Sequence, residues 1–202
     1  MSDNVNFSLK KNKKDEWYTP YEAVYPILKY IKKGSTIWCP FDKNHSNYVR
    51  ALKDYGFKVI NSHLDINDGD FFKFQPNEKY DYIISNPPFS LKDKIFKRLF
   101  DLDKPFMMIM NTNGIYDSAN RWDMFNSHSH SHSIMYIKGR VNYMEVQGEY
   151  LRSSPPFQSA YICYKISDKG LIFEERGNVN EVKQLKKKGR KCRHDMRVLK
   201  NQ

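Results

Sequence analysis

Asn86-Pro87-Pro88-Phe89 follows directly on the apolar run Asp81-Tyr82-Ile83-Ile84-Ser85, and these four residue types together suit one task. Adjacent prolines stiffen the turn and have no N–H to donate, so their carbonyls stay available as acceptors. The Asn86 side-chain oxygen and the Pro87 carbonyl can then receive both protons of an exocyclic amine. That draws electron density onto the amine nitrogen and prepares it to attack an electrophile in line. Phe89 adds a ring face on which a planar target can stack, as a base held outside its helix requires. The plain alternative is an ordinary proline-rich turn after a strand, so the surrounding elements must decide.

Those elements alternate. Val24, Ile27, Leu28 and Ile31 follow a helical period over Tyr21–Lys32, with Pro26 tolerable only in a first turn. Ser35–Cys39 reads as a strand, His45–Tyr55 as a helix closed by Gly56, and Phe57–Ile60 as a second strand. Tyr80–Ser85 is a third strand, Leu91–Phe100 an amphipathic helix, and Phe106–Met110 a fourth strand leaving through Asn111-Thr112-Asn113-Gly114. This spacing predicts a doubly wound, mostly parallel α/β sheet. Ligands of such sheets bind beyond the carboxyl ends of the strands. Pro40-Phe41-Asp42, the Asn61–Asp65 stretch, Asn86–Phe89 and Asn111–Gly114 all fall there. Past Ile115 the alternation fades: a helix is expected over Asp117–Phe125, then strands at Ile134–Ile137, Ser159–Ile166 and Leu171–Phe173.

At 202 residues with 40% hydrophobic and 15% aromatic side chains, one sheet-centred domain is the expectation. The formal net charge of +11 favours a polyanionic partner. Cys39, Cys163 and Cys192 are odd in number and widely spaced, as reduced thiols of a cytoplasmic protein would be. No apolar run has the length of a signal peptide core or a membrane span, so no membrane partner is expected. Residues 1–14 read as a flexible arm, 15–178 as the domain with a candidate recognition insert at 115–140, and 179–202 as a basic helix or tail.

Several segments combine in a known order. Asp15-Glu16-Trp17-Tyr18-Thr19-Pro20, then Trp38-Cys39-Pro40-Phe41-Asp42, Asp68-Gly69-Asp70-Phe71-Phe72 and Asn86–Phe89 resemble the motifs of small phage- and mobile-element-type DNA N6-adenine methyltransferases. Arg140–Tyr143 and Pro155–Tyr161 resemble their late strand segments, so the likeness covers roughly residues 15–166. It implies a Rossmann-like class I methyltransferase fold, S-adenosylmethionine as cofactor, DNA as partner, and direct methyl transfer to N6 of a flipped adenine. Asn86, Pro87, Pro88 and Phe89 would form the catalytic loop. Tyr18, Thr19 and Pro20 would fold over the cofactor, with Pro40, Phe41 and Asp42 as its first loop and Asp42 meeting its ammonium. Asp65, or His63 or Ser62 in its place, would take the ribose; Asp70 would take the adenine edge, with Phe71 or Phe72 flanking the ring. One departure stands out: Pro40–Ser46 contains no glycine where the family has a glycine-rich loop.

Ser154-Pro155-Pro156-Phe157 resembles the variant used for cytosine N4, but it precedes a strand instead of following one and is read as a structural turn off the catalytic edge. Cys39 precedes Pro40, the reverse of the order cytosine C5 chemistry needs. His128, His130 and His132 would share one face of a strand; with no Cys or acidic cluster beside them, a mobile polar loop contacting nucleic acid is the expectation rather than a metal site. Val179–Lys200 carries nine Lys/Arg, a phosphate-tracking helix or a solvated tail. Three functions stay open: DNA adenine methylation, the same chemistry on RNA adenine or a protein glutamine, and non-catalytic nucleic-acid binding on a degenerate methyltransferase fold.

Overall fold

The computed structural model describes residues 18–66, 69–146, 149–150 and 156–177. The basic segment Val179–Lys200 and the start of the Asp15–Pro20 motif lie outside the described residues.

Seven strands form one sheet: β1 (Thr36–Cys39), β2 (Lys58–Asn61), β3 (Tyr82–Ser85), β4 (Phe106–Asn111), β5 (His132–Ile137), β8 (Ser159–Tyr164) and β9 (Leu171–Glu174). Their order is β2-β1-β3-β4-β8-β5-β9. β8 is antiparallel to both its neighbours, while the other pairings are parallel. Two short strands, β6 (Met144–Val146) and β7 (Glu149–Tyr150), pair separately. The chain is thus a mostly parallel, doubly wound α/β sheet.

Topology fixes where the site must be. α2 (Asn47–Tyr55) returns the chain from β1 outward to β2, whereas α3 (Lys92–Leu102) returns it from β3 in the other direction to β4. Right-handed crossovers in opposite directions put those helices on opposite faces. Strand order therefore reverses between β1 and β3, the crevice where open sheets bind ligands.

Alternation along the strands makes two cores. Ile37, Cys39, Ile84, Met107, Ile109, Tyr161 and Cys163 pack against α2 and the amino-terminal helical turns. Trp38, Ile83, Phe106, Met108, Met110 and Ile162 pack against α3 and α4 (Ala119–Ser127). All six residues of β8 are buried, as a strand in mid-sheet covered on both faces must be.

The predicted helix over Tyr21–Lys32 is cut short. α1 spans Tyr21–Val24 only, and Tyr25–Tyr30 is a 3-10 helix with Pro26 in its first turn. Pro26 has no N–H to continue the α ladder, so the tighter winding takes over. Elsewhere boundaries move by one or two residues. Ser46 caps α2, its hydroxyl accepting from the Tyr48 amide at 3.2 Å, and Gly56 ends it at φ 102°.

The histidine row is not a mobile loop. His128 ends α4, Ser129–Ser131 is a 3-10 turn, and His132 opens β5, so the three rings do not share a strand face. His128 stacks on Phe100 at 4.2 Å. His132 lies 4.6 Å from the Phe125 ring and meets Tyr116 Oη at 2.8 Å, and burial lowers its pKa. Aromatic neighbours on α3 and α4 hold both rings in place. Residues 115–140 run through α4 and β5, the latter an inner strand of the sheet.

Gly69 marks a close approach. A Cβ there would lie 2.6 Å from the His63 amide nitrogen and 2.7 Å from its carbonyl oxygen. Backbone must move to admit it, so Gly69→Ala is expected to cost about 2–3 kcal/mol and lower Tm by roughly 5–10 °C. Thermal unfolding followed by circular dichroism checks this, and an unchanged Tm would mean the turn can be re-laid freely.

Candidate active site

β1 and β3 end side by side at the switch point, and their exit loops are tied together. Asp42, three residues past the last core position of β1, is buried. The Ser46 and Ser85 hydroxyls donate to its two carboxylate oxygens. Ser85 is the last residue of β3, and its hydroxyl also accepts from the Phe41 amide at 3.2 Å. The next residue begins Asn86-Pro87-Pro88-Phe89. One serine thus couples the first loop to the tetrapeptide.

Among the described residues no cation pairs with Asp42. Burial raises its pKa from 3.8 to about 6, although the two serine hydroxyls pull the other way. A buried carboxylate with hydroxyl partners and no positive charge beside it has the chemistry to accept a cationic group. The Asp42 amide donates to the Ser62 carbonyl at 3.2 Å, and the Ser46 amide to the Lys43 carbonyl at 2.9 Å. In this glycine-free loop those two backbone donors are satisfied within the protein.

The segment Tyr18–Pro20 lies over this loop. The Thr19 carbonyl accepts from Asn47 Nδ2 at 2.9 Å at the start of α2, and Tyr18 exchanges backbone hydrogen bonds with Met144 at 2.9 Å. Its ring lies 6.1 Å from that of His45. The Thr19 hydroxyl is buried with no hydrogen-bond partner among the described residues, a polar atom a ligand could satisfy. Pro20 and Pro40 are buried, and Phe41 is half-buried.

Other positions chosen from the sequence fall differently. Asp65 lies beyond the end of β2 and pairs with Lys43 at 2.6 Å. The residue ending β2 is Asn61, which donates to the Asp42 carbonyl at 3.2 Å. Asp70 accepts from the Phe72 amide at 3.0 Å and organises a turn that Arg98 of α3 fixes by donating to the Phe74 carbonyl at 2.9 Å. Phe71 is withdrawn into the core against Trp38 and Phe41, at 5.5 and 4.8 Å. Phe72 and Phe74 stay half-buried on that turn, Phe74 turned toward Trp38 at 6.2 Å.

Phe89 is one ring of three. It meets Phe157 edge-to-face at 5.7 Å and Tyr143 at 6.4 Å, while Tyr143 donates to the Ser159 hydroxyl at 3.0 Å. Phe157, the last residue of the second Pro-Pro-Phe, thus lies beside Phe89, while Ser154 and Pro155 lie outside the described residues. β8 runs antiparallel, so its beginning reaches the edge where the parallel strands end. Ser159 pairs with Asn111, and the Gln158 carbonyl accepts from the Thr112 amide at 3.0 Å. Sequence order alone concealed this, because the direction of β8 was not legible from its apolar residues.

The buried thiols stand apart from this chemistry. Burial first, and the Asp42 charge second, push the Cys39 pKa well up. Burial does the same to Cys163, so neither is a ready thiolate.

No protein-family model matches the chain, and no curated protein does. Among solved structures it resembles a modification subunit ascribed to a type I restriction enzyme from Vibrio vulnificus, at TM-score 0.54 and 9% identity over 81% of this chain. The chain spans about half of that subunit, 48% of its length. The fold is that of a Rossmann-like methyltransferase. A protein from Agrobacterium tumefaciens described as a predicted O-methyltransferase matches at TM-score 0.46 and 11% identity, covering 85% of this chain and 96% of its own. Among the described residues no helix is long and apolar enough to cross a membrane.

Proposed function

We propose that this protein is an S-adenosylmethionine-dependent methyltransferase acting on N6 of adenine in DNA. Ser85 carries this reading: it joins the buried Asp42 carboxylate to the loop Asn86-Pro87-Pro88-Phe89 at the switch point of the sheet. When bound, S-adenosylmethionine supplies an electrophilic methyl group on a sulfonium. Asp42 holds the ammonium of its amino-acid moiety, the Thr19 hydroxyl offers a further hydrogen bond, and Tyr18–Pro20 covers the loop. Asp65 and Asp70 are carried forward as contacts to the ribose and the adenine edge, with Phe72 rather than Phe71 beside the ring.

The chain's part in the chemistry is orientation and charge. Asn86 Oδ1 and the Pro87 carbonyl accept the two amine protons of the target, leaving its lone pair directed at the methyl carbon. As the new N–C bond forms, positive charge grows on the nitrogen, and both oxygens stabilise it more than they do the neutral amine. One of those protons then leaves to solvent. Pro88 fixes the loop, and Phe89 provides the stacking surface. Phe157 buttresses Phe89, so Phe157→Ala is expected to raise KM for the nucleic acid roughly tenfold with kcat changed less; a kcat-only effect would separate Phe157 from base binding.

DNA is favoured by the Thr-Pro and Asn-Pro-Pro-Phe motifs, by the likeness to a subunit named for a restriction system, and by the net charge of +11. Segments 115–140 and 179–202 are the proposed sources of sequence and phosphate contacts. Labelled methyl transfer to duplex DNA, single-stranded DNA and RNA, followed by nucleoside analysis, tests the whole reading. Labelled N6-methyladenine from DNA is the expected product. Label in RNA alone would move the substrate, and no transfer with no cofactor binding would leave a non-catalytic nucleic-acid-binding protein.

A further inference from the structure

We propose that β9 is the pairing edge of a two-fold homodimer, joining the sheets of two copies. Among the described residues β9 is one of the two outermost strands of the sheet, bonded on one side only, to β5. The Gly170 carbonyl accepts from the Ile134 amide at 2.9 Å and the Glu174 carbonyl from the Lys138 amide at 2.8 Å. Gly170, Ile172 and Glu174 therefore turn their backbone groups inward, and Leu171 and Phe173 turn theirs outward. The same two residues have the exposed side chains: Leu171 is 58% and Phe173 77% accessible. The Tyr136 ring stacks beside Phe173 at 6.0 Å, and a cavity of about 540 Å³ opens next to them between Gln158, Lys138 and Phe173.

Free strand edges are normally blunted by proline, by a bulge or by charge along the strand. Residues 169–175, Lys-Gly-Leu-Ile-Phe-Glu-Glu, have no proline, and the β5–β9 register runs without a bulge. Glu174 is engaged with Lys29 at 2.7 Å and with the Tyr30 hydroxyl. At the two ends stand charges of opposite sign, Lys169 and Glu175, the latter paired within its own copy with Lys138 at 3.0 Å. An antiparallel pair centred on Ile172 sets Leu171 opposite Phe173 of the second copy, with both outward backbones in register to exchange hydrogen bonds. The same register sets Lys169 opposite Glu175, twice, by symmetry. The segment is complementary to itself in backbone phase, apolar contact and charge. Antiparallel pairing turns the two catalytic edges in opposite directions, so each copy keeps its own site open.

Sedimentation equilibrium of the full chain over rising concentration tests this, independently of any activity. The expected result is a dimer of twice 24.1 kDa that Phe173→Glu abolishes without changing the circular dichroism spectrum. Lys169→Glu and Glu175→Lys should each weaken it about tenfold, and the double exchange should restore it. Amide exchange at Leu171 and Phe173 should slow as concentration rises. A monomer at about 100 µM, a dimer indifferent to Phe173→Glu, or no rescue by the double exchange would overturn the proposal. Protection of those amides that does not depend on concentration would assign the edge to the chain's own segment 178–202 and overturn it as well.

Discussion

Asn86→Ala is expected to lower methyl transfer at least ~10³-fold, with the fold and cofactor affinity unchanged. In the proposed site Asn86 Oδ1 is one of two acceptors facing the target amine, and the charge it meets grows as the bond to carbon forms. Loss of such an acceptor removes stabilisation specific to the transition state, so the effect should fall on kcat more than on KM. The Pro87 carbonyl cannot be deleted by side-chain substitution, which makes Asn86 the informative position. Asn86 is half-buried on an exit loop, outside both cores, so alanine leaves packing intact. Single-turnover transfer of labelled methyl from saturating cofactor, alongside calorimetry with S-adenosylhomocysteine, separates the two steps. Activity within a few-fold of the unaltered chain would remove the tetrapeptide from the mechanism. Asn86→Asp is the instructive companion: a carboxylate oxygen can accept the same proton that Asn86 Oδ1 accepts, so more activity is expected to survive than with alanine.

The parallel half of the fold could be read from the sequence because each of its signals is local. Gly34, Gly56 and the apolar runs at Ile37, Val59 and Ile83 delimit short strands, and Gly56 marks the end of α2 without any tertiary information. The Asn-Pro-Pro-Phe tetrapeptide was equally legible, since strand, loop and helix follow one another in the chain. What escaped was set by distant contacts. Phe157 reaches the site only because β8 inserts antiparallel between β4 and β5. His128 and His132 look like a polar loop until Phe100 and Phe125, brought over by α3 and α4, pack against them. Phe71 and Phe72 are adjacent and identical in type; the turn held by Arg98 decides which ring enters the core. Asp42 was picked out by position, but its coupling to Asn86 through Ser85 spans 43 residues and has no sequence signature.

That coupling leads to a paired result at Asp42. Its folded pKa, about 6, lies above the 3.8 of an exposed aspartate. The protonated form is therefore the one the fold favours: the stabilising contribution is complete below about pH 4 and is lost as pH rises through about 6. At pH 8 the ionised carboxylate costs the empty protein up to about 3 kcal/mol. Asp42→Asn should raise stability by roughly 1–3 kcal/mol at pH 8, and the two chains should converge near pH 4. The same substitution removes the partner proposed for the cofactor's ammonium, and binding of S-adenosylhomocysteine should fall at least ~100-fold. In the unaltered chain that binding should strengthen about tenfold per pH unit below 6 and level off above it, as Asp42 ionises. Denaturant unfolding at pH 4 and pH 8, with calorimetry across the same range, reads both effects. A destabilised Asp42→Asn at pH 8 would mean the carboxylate is satisfied as it stands. Undiminished binding would place the ammonium elsewhere. Gain of stability with loss of binding is the outcome that identifies Asp42 as a charge held buried for a ligand, since stability traded for binding is the mark of a functional residue.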